Sequence, residues 1–169
     1  LAEHARTPAL AEIAELKTIA QHDGIDELKP WDTTYYSEKL KQQQFNLSQE
    51  ALKPYFPAHK VVHGLFQIVQ RLYGIQIIER QAPVWQNDVR YFEIEDQGQV
   101  VGGFYFDLYA RNGKRGGAWM SGFRSRVQTA NGLQKPICYM VCNFTPPIGD
   151  QPALLTHDEV ITLFHEFGH

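Results

Sequence analysis

The chain has 169 residues, 43% of them hydrophobic and 12% aromatic, and it carries a formal net charge of −3. This is the composition of a globular protein, and the length is close to that of one domain. The mild acidity gives no electrostatic reason to expect a nucleic-acid or membrane partner, and no apolar run approaches the roughly 20 residues of a membrane span. No signal-peptide pattern opens the chain, and because it begins with Leu1 rather than Met, we expect the natural start to lie upstream.

Residues 1–74 are predicted to be helical. A first helix is expected over residues 7–21, with Pro8 in its first turn and Gly24 stopping it. Asp32 is expected to cap a second helix. The side chains of this second helix that are expected to face inward are Tyr35, Tyr36, Leu40 and Phe45.

The third predicted helix is strongly amphipathic and runs from Pro57 to Gly74, after a short turn over residues 49–55 that Ser48 caps. Proline suits the start of a helix because its missing N–H needs no partner there, and glycine suits the end. The apolar stripe of this helix consists of Val61, Val62, Leu65, Phe66, Val69 and Leu72.

The residue pattern changes at residue 75, from helical periodicity to alternating and β-branched runs. Residues 75–145 are predicted to form a small antiparallel sheet. Alternating or β-branched runs predict strands over residues 75–79, 89–94, 100–109 and 137–144, with a turn at 95–99. Residues 118–120 either begin another strand or end a loop. Helices followed by a meander and then one more helix define an α+β fold.

The last helix is predicted over residues 156–169, after a proline- and glycine-containing break. Thr156 is a good N-cap, and Glu159, three residues later, completes a capping box. Leu155 and Val160 are placed as a hydrophobic staple. Apolar side chains point in almost every direction around this helix, which predicts that it is buried.

This last helix carries the H-E-x-x-H motif at His165, Glu166 and His169. Residues four apart lie on the same helix face, so the two imidazoles can bind one metal ion. Glu166 points to the side, where it can act as general base on a zinc-activated water. The motif alone can arise by chance in a chain of this composition. Its position on a capped, apolar helix favours a zinc peptidase site.

A second histidine pair has the same spacing, at His59 and His63, but Lys60 stands where the motif has glutamate. The apolar stripe of that helix lies mostly on another side. We therefore predict that these two histidines are solvated and bind no metal.

The only cysteines, Cys138 and Cys142, share one face of a predicted strand. Four residues of strand separate their Cα atoms by about 13 Å, whereas a disulfide requires about 7 Å or less. They are predicted to be free thiols, which suits a reducing cytoplasm.

The loop A-R-N-G-K-R-G-G, residues 110–117, has the glycine and lysine content of a phosphate-binding loop. It lacks the G-K-S/T signature, and no capped helix follows it. A tight or mobile loop between strands is the preferred interpretation.

With these motifs in view, the chain resembles the thimet oligopeptidase family of zinc metallopeptidases. The pieces that carry the resemblance keep a specific order and spacing from about residue 28 onward. They are L-K-P-W-D (28–32), Y-Y-S-E-K (35–39), L-K-P-Y-F-P (52–57), D-L-Y-A-R (107–111), G-K-R-G-G-A-W-M (113–120), C-N-F (142–144) and the run from Pro152 to His169.

The resemblance implies a monomeric cytosolic endopeptidase that cleaves short peptides with one zinc ion. In such proteins two largely helical halves enclose a narrow channel. His165 and His169 would be zinc ligands and Glu166 the general base. A small sheet, here residues 89–109 and 137–144, would line the channel, and one of its edge strands could bind substrate backbone.

Members of that family are several times longer than this chain. Their third zinc ligand is a glutamate on a later helix, and their oxyanion-stabilising tyrosine and histidine come later still. We therefore expect the 169 residues to be an interior fragment of one catalytic domain, with little activity and weak zinc affinity. Two alternatives are a dipeptidyl carboxypeptidase of the same fold and a non-catalytic peptide-binding module. The intact Glu166 argues against the second alternative, because a degenerate site has no need of a base.

Overall fold

The computed structural model describes residues 2–46 and 48–169. The chain divides between Leu52 and Lys53 into two compact units. The first unit contains α1 (Ala2–His22), a 3₁₀ turn (Pro30–Asp32), α2 (Thr33–Phe45) and α3 (Gln49–Leu52). The second unit contains a 3₁₀ turn (Lys53–Tyr55), α4 (Ala58–Tyr73), β1 (Gln76–Arg80), β2 (Arg90–Asp96), β3 (Gln99–Tyr109), β4 (Trp119–Arg124), β5 (Val127–Thr129), β6 (Gly132–Gln134), β7 (Ile137–Phe144) and α5 (His157–Gly168). No helix within the described residues has the length and apolar character needed to cross a membrane.

The first helix differs from its prediction at one end. α1 is helical from Ala2, so Pro8 lies inside it and not in its first turn. Proline has no N–H to donate to the carbonyl of His4. That part of the helix is fully exposed, so water can satisfy the carbonyl. The other end is as predicted: Gly24 has a φ of +81° and ends the helix.

The second helix buries a narrower stripe than predicted. Tyr36 is buried beside Leu16, Ile19 and Ala20 of α1, and Leu40 packs against this cluster. The inward placement of Tyr35 and Phe45 was wrong, because both side chains are mostly exposed. Neighbouring helical residues point about 100° apart, so Tyr35 cannot share the direction of Tyr36.

The caps of the short helices follow the prediction in part. Asp32 occupies the N-cap position of α2, but its side chain makes no capping bond there. Its Oδ2 instead accepts a hydrogen bond from the backbone N–H of Lys29 at 3.0 Å. Ser48 caps α3 as predicted, since its Oγ accepts from the N–H of Ala51 at 3.1 Å.

The sheet is mixed, and the prediction of an antiparallel sheet was wrong for one pair of strands. The strand order is β1-β2-β3-β7-β4, and β3 and β7 run parallel. After β4 the chain makes the β5–β6 hairpin, which the sequence analysis missed, and returns as β7. β7 lies between β3 and β4 and pairs antiparallel with β4. The meander prediction failed because it assumed that successive strands are neighbours in space.

The core of the second unit lies on one face of this sheet. Alternate residues of β3 point to this face and include Phe104, Phe106 and Leu108. α4 covers them with the predicted apolar stripe except for Leu72, which is 70% exposed in the last turn, and Gly74 ends that helix with a φ of +69°. Burying each such side chain contributes about 1.5–3 kcal/mol. An aromatic cluster joins α4, the sheet and α5 through the rings of Phe66, Phe92, Phe104, Phe106 and Phe167.

The final helix has the predicted capping box. The Thr156 Oγ1 accepts from the N–H of Glu159 at 3.1 Å, and the Glu159 carboxylate accepts from the N–H of Thr156 at 2.8 Å. The prediction that α5 is buried on every side was wrong. Leu163 and Glu166 are its buried residues, whereas Ile161 is 55% exposed. α5 packs on β7 and β4, and its Phe167 reaches Phe66 of α4, while part of its apolar surface stays open.

Candidate functional site

His165 and His169 meet at the end of α5. Their Nε2 atoms are 3.2 Å apart, and their rings are perpendicular with centroids 4.8 Å apart. Zinc binds imidazole nitrogen at about 2.0–2.1 Å in tetrahedral geometry, which places two such ligands roughly 3.3–3.4 Å from each other. The observed separation is within about 0.2 Å of that value. The two exposed histidines therefore have the arrangement of two ligands of one metal ion.

Glu166 lies on the neighbouring side of the helix and is only 8% exposed. Among the described residues, no side chain forms an ion pair or hydrogen bond with its carboxylate. No buried polar atom of the described residues lacks a partner, so the carboxylate oxygens of Glu166 reach solvent and its buried part is mainly the aliphatic stem. Together with His169, it lines a cavity of 390 Å³ between α5 and the sheet.

Cys142 lies beneath this part of α5 and is fully buried. Burial, and secondarily the negative charge of Glu166, raises the pKa of its thiol to about 12. The thiolate is the form that attacks substrates or binds metal. Cys142 is therefore protonated at neutral pH. Both cysteines are free, as predicted.

The metal-binding potential of the described part of the chain is limited to the histidine pair. Within it, no group of three or more His, Cys, Asp or Glu side chains is arranged to hold a metal ion. Catalytic zinc sites use three protein ligands. The histidine pair alone is thus fewer than the three ligands that such a site uses.

The other histidine pair is exposed, as predicted. His59 and His63 border a cleft of 290 Å³ that also contains Glu79. The Glu79 carboxylate accepts two hydrogen bonds from Arg90, at 2.7 and 2.6 Å. Because Arg90 occupies both oxygens, this carboxylate is not available to complete a metal site with the two histidines.

The opposite face of the sheet contains a buried ionic network that the sequence analysis missed. Asp107, at the end of β3, is only 3% exposed. Its carboxylate accepts hydrogen bonds from Trp85 Nε1 at 2.9 Å, from Arg111 at 2.6 and 2.9 Å, and from Lys114 Nζ at 2.8 Å. Lys114 also donates to the backbone carbonyls of Asp107 and Tyr109 at 2.9 and 2.7 Å.

This network explains the tight conformation of the loop over residues 110–117. Its Arg111 and Lys114 fold back onto Asp107, so the loop is tight and its lysine is not available to a phosphate. Burial alone would raise the pKa of Asp107, but the hydrogen bonds from Arg111, Lys114 and Trp85 outweigh burial and hold that pKa below its usual range. The one sequence signal for this network was the i, i+4 spacing of Asp107 and Arg111.

One strand that lines the cavity beside His169, β4, is at the edge of the sheet. β4 pairs with β7 on one side and is the last strand in the order. α5 packs against both of these strands. The sequence analysis expected an edge strand near the motif without identifying it, and β4 has that position.

Comparisons with known proteins identify the family. The model of peptidase family M3 matches residues 1–169, and the chain belongs to that family. Oligopeptidase A of Escherichia coli (strain K12) is 53% identical over 173 residues, which cover 100% of this chain and 25% of that protein. Organellar oligopeptidase A of Arabidopsis thaliana is 45% identical over 95% of this chain and 22% of its own length.

Another relative, with a different activity in its name, is dipeptidyl carboxypeptidase of Escherichia coli (strain K12). It is 41% identical over 98% of this chain and 24% of its own length. The chain spans about a quarter of the length of the curated relatives that it matches. The resemblance drawn from the motifs is thereby confirmed at the level of the family.

Proposed function

We propose that the protein is a zinc metalloendopeptidase that hydrolyses short peptides. The observation that carries the proposal is the pair of Nε2 atoms 3.2 Å apart, with Glu166 beside it on the same turn of helix. His165 and His169 would hold the zinc ion. Without a metal, the 3.2 Å separation is that of a hydrogen bond between the two rings, and the proposal is that zinc replaces this bond.

In the proposed mechanism, bound zinc supplies a Lewis acid that polarises the scissile carbonyl and lowers the pKa of the attacking water. Glu166 takes the proton from this water and passes it to the leaving amine nitrogen. The rigid, capped helix fixes the carboxylate relative to the two imidazoles.

Substrate backbone would bind along the free edge of β4. An extended peptide that adds to a sheet edge is held by main-chain hydrogen bonds, so its affinity depends little on side chains. We propose the third zinc ligand, a glutamate, and the oxyanion-stabilising tyrosine and histidine to be contributed by residues outside these 169. The isolated 169-residue chain should then bind zinc weakly and turn over little peptide. Tight 1:1 zinc binding with turnover in a titration of this chain would contradict that expectation.

The proposal favours an endopeptidase over a dipeptidyl carboxypeptidase. The identity with oligopeptidase A of Escherichia coli, 53%, exceeds the 41% with the dipeptidyl carboxypeptidase of the same organism. Product lengths from a peptide with a blocked C-terminus separate the two activities. Internal cleavage supports the endopeptidase, and failure to cut a peptide that is cut when its C-terminus is free supports the alternative.

We further propose a cytoplasmic monomer whose partners are short peptides, with no nucleic-acid or membrane partner. The mild net charge of −3 and the free cysteines support this proposal. The name of the Arabidopsis relative assigns that protein to organelles, so a reducing compartment other than the cytosol is the alternative.

The decisive experiment replaces Glu166 with Gln in the full-length protein. We expect kcat/KM to fall about 10²–10⁴-fold, because the general base is lost while both histidines remain. Zinc content, measured by metal analysis, should stay the same. Glu12→Gln, at an exposed position of α1, is the matched control and should leave both quantities unchanged. If Glu166→Gln has full activity, Glu166 is not the general base; if the native full-length protein cleaves no peptide, it is better described as a peptide-binding module.

A further inference from the structure

A second cavity lies on the other face of the sheet, beside the Asp107 network. Its volume of 340 Å³ lies within the ~300–1,000 Å³ range of ligand pockets. Its wall is formed by β3, β4 and β7 together with the loop that carries Trp85 and the loop over residues 110–117. His165, Glu166 and His169 are not part of this wall, so the cavity is distinct from the candidate active site.

Three aromatic side chains line this cavity, namely Trp85, Trp119 and Tyr139. The rings of Trp85 and Tyr139 lie edge to face, with their centroids 6.1 Å apart. The Trp85 ring is held in this orientation because its Nε1 donates to Asp107 at 2.9 Å, and 49% of the residue is still exposed. A half-exposed indole in a fixed orientation offers a planar surface against which another ring can pack.

The cavity wall has an excess of positive charge. Arg111, Lys114 and Arg115 line it together with a single carboxylate, that of Asp107. Asp88 is exposed and lies outside the wall. The pKa of Arg111 is raised first by its hydrogen bonds to Asp107 and only last by the charge of Asp88, so Asp88 offsets the excess weakly. The cavity therefore favours an anion over a neutral or cationic ligand.

Arg115 is the cation of this wall that remains for a ligand. All three N–H donors of Lys114 are in use, two on Asp107 and one on a neighbouring backbone carbonyl. Arg111 gives two of its donors to the Asp107 carboxylate. The Arg115 guanidinium has no hydrogen-bond or ion-pair partner among the described residues, and it stacks over Trp119 with its Cζ 5.4 Å from the ring centroid.

The loop that carries Arg115 is tied to the sheet. The Asn143 Nδ2 donates to the carbonyl of Arg115 at 2.8 Å and to that of Gly117 at 2.7 Å. Asn143 belongs to β7, the strand that also contributes Tyr139 to the cavity. A guanidinium whose backbone is tied and whose plane is stacked loses little conformational freedom when it binds an anion.

We propose that this cavity binds a small aromatic carboxylate, with the carboxylate on Arg115 and the ring against Trp85 and Tyr139. A guanidinium binds a carboxylate through two parallel N–H···O bonds, so one free guanidinium suffices. A phosphate has three acceptor oxygens and is matched less well by a single unshared cation. The free C-terminus of a peptide that ends in an aromatic residue belongs to this class of ligand. The site goes beyond the proposed peptidase activity and does not depend on it.

The test titrates N-acetyl-para-fluorophenylalanine with the full-length protein and follows the fluorine NMR signal of this probe. The protein is used metal-free, so that the carboxylate cannot bind to zinc. We expect saturable binding to the native protein. Arg115→Ala should weaken this binding at least about tenfold, because the hydrogen bonds between two opposite charges are lost. Arg115→Lys keeps the charge without the planar pair of donors and should weaken binding less than Arg115→Ala does.

Arg126→Ala is the matched control. Arg126 is an exposed arginine between β4 and β5, and it does not line the cavity. This variant should bind the probe as tightly as the native protein does. Arg115 is itself exposed, so its replacement leaves the core intact. Equal binding to the native protein and to Arg115→Ala, or no saturable binding to the native protein, would overturn the proposed site.

Competition with the fluorinated probe separates the contributions of charge and ring. N-acetylphenylalaninamide has the ring without the charge, and N-acetylalanine has the charge without the ring. Each should compete at least about fivefold more weakly than N-acetylphenylalanine. Phenyl phosphate should compete no better than N-acetylphenylalanine, and stronger competition by it would overturn the assignment to carboxylates. None of these measurements reads peptide cleavage, so failure of the site would leave the proposed peptidase function standing.

Discussion

The two faces of the sheet differ in whether a buried acidic residue has hydrogen-bond partners for its carboxylate. On one face, Asp107 is buried and its carboxylate is fully hydrogen-bonded by Trp85, Arg111 and Lys114. On the other face, Glu166 is buried almost as deeply and has no partner among the described residues. The comparison assigns a structural role to Asp107, because its carboxylate is enclosed and fully paired. The Glu166 carboxylate has no such partners, and its oxygens reach solvent.

The largest expected effect follows from breaking the Asp107 network. Asp107→Asn keeps the shape of the side chain but leaves the buried Lys114 without its counter-charge, since both side chains are 4% exposed. We expect the free energy of unfolding to fall by about 3–5 kcal/mol. Urea denaturation of the full-length protein measures this change. The double variant Asp107→Asn/Lys114→Met should recover more than half of the loss, and a double variant as unstable as the single one would contradict the assigned pairing.

A smaller effect is expected on acidification. The pKa of Asp107 is lowered by folding, so its stabilising contribution is complete above the unfolded pKa of about 3.9 and is lost as pH falls through the lower folded value. Lowering the pH from 5 to 3 should therefore reduce the stability of the native protein more than that of Asp107→Asn. Urea midpoints at the two pH values measure the difference. Parallel losses in the two proteins would mean that Asp107 is not the titrating group.

The smallest expected effect on stability is that of Glu166→Gln. Gln keeps the size of the side chain, and the Glu166 carboxylate has no side-chain partner to lose, so the free energy of unfolding should change by no more than about 0.5 kcal/mol. Thermal unfolding of the full-length protein, with zinc removed from both variants, measures this change. A loss as large as that of Asp107→Asn would show that Glu166 has a structural partner and would remove the contrast between the two faces.

The sequence predicted those features that depend on neighbouring residues. The capping box of α5, the amphipathic stripe of α4 and the spacing of His165 and His169 are all local signals, and each was found as expected. The side chains of Tyr35 and Phe45 were misplaced because the composition of α2 does not reveal how narrow its buried stripe is. Local sequence patterns thus predicted the helices and their caps well, and they predicted the burial of individual side chains less well.

The features that sequence reasoning missed depend on residues far apart in the chain. The parallel pairing of β3 with β7 could be predicted only if it were known that β4 lies one strand position away from β3, and that β7 fills this position. The cavity beside Glu166 combines residues from β2, β3, β4, β7 and α5. The Asp107 network joins the end of β3 to Trp85 and the following loop. No spacing rule along the chain encodes such combinations.

The position of β7 between β3 and β4 also constrains the order in which the molecule can fold. β4 is made before β7 but has no other strand to pair with in this sheet, since β7 is its neighbour. During synthesis, the edge strand therefore cannot join the sheet until Ile137–Phe144 has left the ribosome. α5, with its histidines, follows directly. Until β7 pairs, the edge of β3 that it will occupy stays open, so the addition of β7 closes β3 and brings β4 into the sheet in one step.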